Sequence, residues 1–230
     1  MTSEFNADYA AEQLRRGRHP LRRLIKGFYI RNILRDVTGP SIDFGCGAGQ
    51  LLACLPAGSI GLDVNPSLVE SLQVKGLNAI HYDAESDRFL LTGLSENRYS
   101  TFIMAHVLEH FADAALILRT LLHSCRRLAI QRFILILPGW KGYLSDPTHK
   151  TFVDRRYLQR AGLLSCEGFT LRHARYFPID HEAVGRYFVF HELIAVFDSV
   201  TCRTPLGVPH RPAPSSLVAR GLRRSARDSD

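Results

Sequence analysis

The sequence predicts an α/β protein: a seven-stranded sheet of five parallel strands and an antiparallel closing pair, with helices on both faces. Three observations predict it. Between residues 40 and 137, short β-rich runs alternate with stretches of helical periodicity. A glycine cluster, Gly45-Cys46-Gly47-Ala48-Gly49, stands where the first run ends and a helix should begin. After residue 165, two β-rich runs follow with only a short connection between them, too short for the helical crossover that parallel neighbours need.

The first strand is Ser41-Ile42-Asp43-Phe44, and the helix expected after the glycines runs through Leu51, Leu52 and Leu55. Residues 59–64 (SIGLDV) form the second strand, and Pro66 suits the first turn of the next helix. Ala79-Ile80-His81-Tyr82 is the third strand, closed by Asp83, and residues 99–105 (YSTFIMA) are the fourth. A helix starting near Asp113 places Leu118, Leu121, Leu122 and Cys125 on one face at i, i+3, i+4 and i+7. Residues 132–137 (RFILIL) make the fifth strand, stopped by Pro138-Gly139. A loop and a helix over 152–164 lead to strands at 169–177 and 187–197, joined through Pro178-Ile179-Asp180 and Gly185.

With 230 residues, 46% of them apolar, the chain can bury one good core. Five cysteines without a Cys-x-x-Cys pair argue against a disulfide framework or a cysteine zinc site, and fit a reducing cytoplasm. The first residues, MTSEFNADYAAEQ, are polar and acidic, unlike a secretory signal, and no apolar run approaches the ~20 residues that span a bilayer. The expectation is a soluble, cytoplasmic protein. Of its net charge of +7, residues 203–230 hold +4 in a stretch rich in Pro, Ser and Gly, which reads as a disordered basic tail over 201–230. Residues 15–35 hold eight positive side chains and no acids, so residues 1–38 read as a basic amphipathic helical arm. That arm either covers the domain with a solvated basic face or meets an anionic surface. The sheet domain proper spans 39–200.

The glycine loop is neither of the common phosphate cradles. The dinucleotide fingerprint needs its third glycine five positions after the first, where this chain has Gln50, and no P-loop lysine follows. Behind the loop, Asp43, Asp63 and Asp83 fall at the ends of strands one, two and three, the crevice where open α/β sheets bind ligands. A carboxylate at Asp63 can accept hydrogen bonds from both hydroxyls of a ribose.

On these residues the chain resembles the class I S-adenosylmethionine-dependent methyltransferases, in their small-molecule, type 11-like branch. DFGCGAG is similar to that family's acid-x-Gly-x-Gly-x-Gly motif, while GLDVN, YDAES and the fourth strand running into HVLEHF stand where its next motifs stand. The resemblance covers about residues 38–200 and implies a Rossmann-like sheet and S-adenosylmethionine as cofactor. By that likeness Asp43, Gly45, Cys46, Gly47 and Gly49 hold the methionine end of the cofactor. Asp63 binds its ribose, Val64 packs on the adenine, Asp83 and Ala84 address the adenine edge, and His106 lies beside the sulfonium.

AHVLEHF also spells His-x-x-Glu-His, the run of an inverted zinc-peptidase site, with Glu167, Glu182 or Glu192 as conceivable third ligands. That site needs His106 and His110 in mid-helix. The β-rich run reaches His106 and the helix starts only after Phe111, so no metal is expected. For the chemistry, the loop GWKGYLSDPTHKTF offers His149 as a base with Asp146 to orient it, and His110 is a second base; Asp146-Pro147-Thr148-His149 also suits a helix-capping turn. His191 and Glu192, inside an apolar run, receive no role. Similar DPTH loops in the family are associated with sugar or polysaccharide methylation, so the expected partner is a small molecule, a sugar or glycan hydroxyl among them. A nucleic-acid modifier using the basic segments would interleave aromatics for stacking, and the tail has none. A cofactor-binding scaffold without turnover is the third reading.

Overall fold

The computed structural model describes residues 20–200. The segment 201–230, and the part of the expected arm before residue 20, lie outside the described residues. The elements in order are α1 (Pro20–Leu34), β1 (Ser41–Phe44), β2 (Ile60–Asp63), α2 (Pro66–Val74), β3 (Ala79–His81), β4 (Thr101–Ala105), α3 (Ala114–Arg127), β5 (Arg132–Pro138), α4 (Trp140–Leu144), α5 (Arg155–Arg160), β6 (Ser165–Cys166), β7 (Phe169–Phe177) and β8 (Glu192–Ser199). They build one mixed sheet of order β3-β2-β1-β4-β5-β8-β7-β6. Strands β1 to β5 pair in parallel, and β8 runs antiparallel between β5 and β7 from Arg132↔Asp198 to Pro138↔Glu192.

The sheet has eight strands, not seven, because the two-residue β6 pairs antiparallel with the start of β7. Two residues carry too little pattern to be read from sequence. Other boundaries also move. The glycine loop is followed by a single 3-10 turn, Leu52–Cys54, rather than an α-helix. Residues 82–100 join β3 to β4 through turns alone. The expected helix over 152–164 shrinks to α5, and β8 begins at Glu192 because Glu182–Arg186 forms a 3-10 helix before it.

Alternation along the central strands divides the core. Phe102 and Met104 of β4 and Phe133, Leu135 and Leu137 of β5 pack to the side covered by α3, whose Leu118, Leu121, Leu122 and Cys125 are all fully buried as the spacing predicts. Asp113 starts that helix, its carboxylate accepting from the Leu116 N–H at 3.0 Å. Ile103, Ile134, Ile136, Ile194 and Val196 point to the other side, where α1 lays Tyr29, Ile30 and Ile33 on them. Arg175 of β7 ties this helix down, donating to Asn32 Oδ1 at 2.5 Å and to Asp36 Oδ2 at 2.9 Å. The helical end of the expected arm is therefore part of the domain, since its apolar stripe closes one face of the sheet. Among the described residues, no helix is long and apolar enough to cross a membrane.

Candidate functional site

Five loops leave the carboxyl edge of β1 to β5, and the sheet order reverses between β1 and β4. Open sheets of this kind hold ligands at such a reversal. The chain leaves β1 through Gly45, Gly47 and Gly49, all with positive φ (74°, 52° and 74°). A Cβ on Gly45 or Gly49 would strike Val107 or Leu72, at 2.4 and 2.3 Å, whereas one on Gly47 would meet nothing within 4 Å. Two glycines therefore let the loop pack against the protein, and Gly47 leaves open space where a ligand can approach the backbone.

Asp63 ends β2 and is 8% exposed. Its Oδ2 accepts from the Gly47 N–H at 2.7 Å and its Oδ1 from the Asn65 N–H at 2.9 Å. Burial raises its pKa, and those two backbone bonds partly oppose the rise. A carboxylate has about four lone-pair sites, so this one retains capacity for two further donors. Asp43 lies in β1 and is 2% exposed. Val64 and Ala84 are half-buried beside the loop ends.

Other expected cofactor residues stand differently. The Cys46 side chain turns inward, against Leu52, Val69 and Leu72, and burial pushes its thiol well up; only its backbone lines the loop. Asp83 lies two residues beyond β3 and organises a turn, accepting from the Glu85 and Ser86 N–H groups and from the Ser86 hydroxyl at 2.7 Å. The Ser86 hydroxyl, foremost, holds its carboxyl below the usual range.

His106 leaves β4 in the left-handed region, with φ 55°. That residue and the single 3-10 turn Leu108–His110 replace the helix an inverted zinc-peptidase site requires, and the two imidazoles do not share a helical face. Of the conceivable third ligands, Glu167 pairs with His123 at 3.1 Å and Glu182 faces Arg156 at 3.9 Å. Glu192 reaches His106 Nε2 at 3.0 Å, and His106 Nδ1 stands 3.5 Å from Glu109. Burial alone would lower the His106 pKa; Glu192 and Glu109 outweigh it and raise it to about 10. Tyr29 of α1 brings its ring 6.2 Å from this imidazole, and its phenol is pushed well up by burial and then by Glu192, Asp43 and Glu109.

The loop after β5 folds over the same edge. His149 does not pair with Asp146, as its position suggested. Its Nδ1 lies 2.7 Å from the Tyr143 carbonyl and its Nε2 3.8 Å from Glu109 Oε1. Asp146 instead accepts from the Thr148 N–H at 2.9 Å and the Thr148 hydroxyl at 2.6 Å, and that hydroxyl lies 3.0 Å from His110 Nδ1. Asp146 thus closes a local turn and orients His110 through Thr148. It caps no helix: α5 is capped by Asp154, whose carboxylate accepts from the Tyr157 N–H at 2.6 Å. Burial lowers the His110 pKa. Trp140, Tyr143 and Phe152 form an aromatic wall beside His149, with ring centroids 5.0–5.9 Å apart.

Sequence reasoning missed Glu109, Tyr29, Thr148 and the pairing of Glu192. Glu192 was noticeable as an acid in an apolar run, and Glu109 only as the middle of His-x-x-Glu-His. Tyr29 carried no signal, since it reaches the edge from a helix on the far side of the chain. His191 serves the scaffold: its ring stacks on Tyr176 at 4.9 Å and its Nε2 meets the Ile179 carbonyl at 3.0 Å.

Residues 42–129, from β1 to just past α3, match a family described as a methyltransferase domain. No curated protein matches the chain. Solved structures with a similar fold include an S-adenosylmethionine-dependent methyltransferase of Archaeoglobus fulgidus, at 20% identity over 84% of this chain and 100% of that one, with TM-score 0.58. Magnesium protoporphyrin IX methyltransferase of Synechocystis, with bound SAH, is 16% identical over 86% of this chain and 97% of its own, with TM-score 0.57. A TehB-like S-adenosylmethionine-dependent methyltransferase of Corynebacterium glutamicum is 16% identical over 84% and 100% of the two chains, with TM-score 0.53. At these identities the likeness is one of fold.

Proposed function

We propose that this chain, which carries a class I methyltransferase domain, transfers a methyl group from S-adenosylmethionine to the hydroxyl of a small molecule, a sugar or glycan among the candidates. One observation carries the cofactor half of this reading. Asp63 is anchored by the Gly47 and Asn65 N–H groups with acceptor capacity to spare, next to the open space over Gly47. A ribose diol fits such a carboxylate, and the open backbone fits an extended chain such as the methionine end. The bound cofactor supplies a methyl group on positively charged sulfur, which an acceptor displaces in line.

The protein's own part is binding and alignment. Asp43, Asp63, Glu109 and Glu192 make the edge of β1, β2 and β4 electronegative, which favours a positive charge there. Holding two reactants in line supplies on the order of 7–11 kcal/mol of barrier lowering. A hydroxyl acceptor also needs its proton drawn off or polarised. Glu109, His110 and His149 are the groups at the edge suited to that. The wall of Trp140, Tyr143 and Phe152 offers flat apolar faces suited to a sugar ring, and Trp140 is 44% exposed.

The test is to incubate the purified protein with methyl-labelled S-adenosylmethionine and fractionated extracts of small molecules and glycans. Label should pass to a low-molecular-weight or glycan hydroxyl. Absence of cofactor binding by calorimetry would overturn the reading, and binding without transfer to any fraction would favour a scaffold.

A further inference from the structure

Glu109 is 0% exposed, and among the described residues no hydrogen-bond donor reaches either of its carboxylate oxygens. A buried carboxylate in that state is costly unless a positive charge faces it. The nearest side-chain nitrogens, His106 Nδ1 at 3.5 Å and His149 Nε2 at 3.8 Å, stand beyond good hydrogen-bond length. His106 also shares its charge with Glu192.

The two other histidines are held in one tautomer by their surroundings. His149 Nδ1 faces a carbonyl, that of Tyr143, which can only accept; the proton therefore sits on Nδ1 and Nε2 presents a lone pair. The Thr148 hydroxyl spends its hydrogen on Asp146, so it accepts from His110 Nδ1, and Nε2 is again the acceptor nitrogen. Two lone-pair nitrogens thus accompany a carboxylate that lacks a hydrogen-bond donor and shares only the His106 charge at 3.5 Å, and the ligand-capable atoms of the three residues lie within 4.8 Å of one another. Acceptors crowded together call for a cation. Histidines whose far nitrogen donates to a carbonyl or, through a hydroxyl, to a carboxylate are arranged as metal ligands are.

We propose that Glu109, His110 and His149 bind one divalent transition-metal ion, with zinc as the type, and leave a further position for an oxygen ligand. Two nitrogens and a carboxylate suit zinc, and three protein ligands with an open position are the mark of a working rather than a structural site. Ligand atoms around tetrahedral zinc stand about 3.3 Å apart for bonds of about 2.0–2.1 Å, so side-chain shifts of roughly 1 Å close the site. Its place beside the aromatic wall makes the acceptor hydroxyl the natural oxygen ligand. That last step rests on the methyl-transfer reading, whereas the metal site does not. Once the metal is bound, His149 acts as a ligand and not as a free base.

The experiment uses the full chain, without an affinity tag, stripped by chelator and titrated with Zn²⁺ by calorimetry in the absence of cofactor. One site per chain is expected, weakened by about 100-fold or more in His110→Ala and His149→Ala, since even the loss of a supporting partner costs about 10–100-fold. His123→Ala, which removes a ring that pairs with the distant Glu167, should leave it unchanged. Circular dichroism checks that the variants fold. Substitution with Co²⁺ gives a readout that needs no variant: intense visible bands of a four- or five-coordinate ion are expected, and the weak spectrum of a six-coordinate hydrated ion would overturn the proposal. Zn²⁺ binding that survives both histidine variants would overturn it too. Calorimetry with S-adenosylmethionine separates the two readings. Cofactor binding without zinc binding sinks the metal site alone, and zinc binding without cofactor binding sinks the methyl-transfer reading alone.

Discussion

Asp63 does two things with one carboxylate: it fastens the glycine loop through Gly47 and turns its remaining lone pairs to the open side. Asp63→Ala should therefore weaken S-adenosylmethionine binding by about 1.5–3 kcal/mol, the worth of hydrogen bonds to a charged group. Calorimetry measures it, and unchanged affinity would remove Asp63 from the site. Tyr29 makes a second residue-level prediction. Its folded pKa is raised by burial and then by Glu192, Asp43 and Glu109, so the native state keeps a proton that the unfolded chain releases near pH ~10. Its contribution to stability should be level below that pH and fall as pH rises above it. An earlier fall comes from His106, whose pKa of about 10 keeps a proton that the unfolded chain releases near pH ~6.5. Tyr29→Phe should reduce the slope without abolishing it, because burial also raises Tyr82 and Tyr176. Denaturant melts between neutral and alkaline pH read the difference.

The loop between β1 and β2 shows how one motif divides its work. Gly49 has φ 74° and no room, since Leu72, itself fully buried, would lie 2.3 Å from an added Cβ. Gly49→Ala should cost about 1–3 kcal/mol of stability through overpacking and left-handed strain. Gly47→Ala meets no atom within 4 Å and carries only the left-handed strain of its φ of 52°, so it should lose less stability than Gly49→Ala and in addition lose cofactor affinity. A thermal melt paired with a binding isotherm separates the two substitutions, and the reverse pattern would mean that Gly47 faces the protein and not the ligand. At this scale the periodic elements were legible before the fold was known: α3 from its apolar i, i+3, i+4 spacing, the central strands from their β-rich runs. The 3-10 turn at Leu52–Cys54, the late start of β8 and the two-residue β6 were not. Short elements are set by where the chain must turn to rejoin the sheet, and three residues hold no period.

Across the whole molecule, α1 and the β7–β8 pair form one unit with the parallel sheet. Ile33 is 0% exposed beneath the β4, β5 and β8 isoleucines and valine, and Arg175 reaches across to Asn32 and Asp36. Ile33→Ala should cost about 2–5 kcal/mol, in the range of buried large-to-small substitutions. If α1 were an independent arm, the melting temperature would not move. Because the same helix sets Tyr29 against His106, the substitution should also loosen the candidate site.

Legible in the sequence alone were five strands of a parallel sheet, the glycine loop, and the acids Asp43, Asp63 and Asp83 near the ends of the first three strands, because strand period, helix period and loop composition are local properties; the order of the strands in the sheet was not. The sequence also identified the loop holding Asp146, His149 and the aromatic residues. Which side chains meet was fixed by packing. His149 turned from Asp146 to Tyr143 and Glu109, Asp146 took Thr148 and through it His110, and Glu192 arrived at His106 from a strand 86 residues away. A hydrogen bond depends on distances of tenths of an ångström between atoms far apart in the chain. No spacing along the sequence encodes them; the packing of the sheet and its loops does.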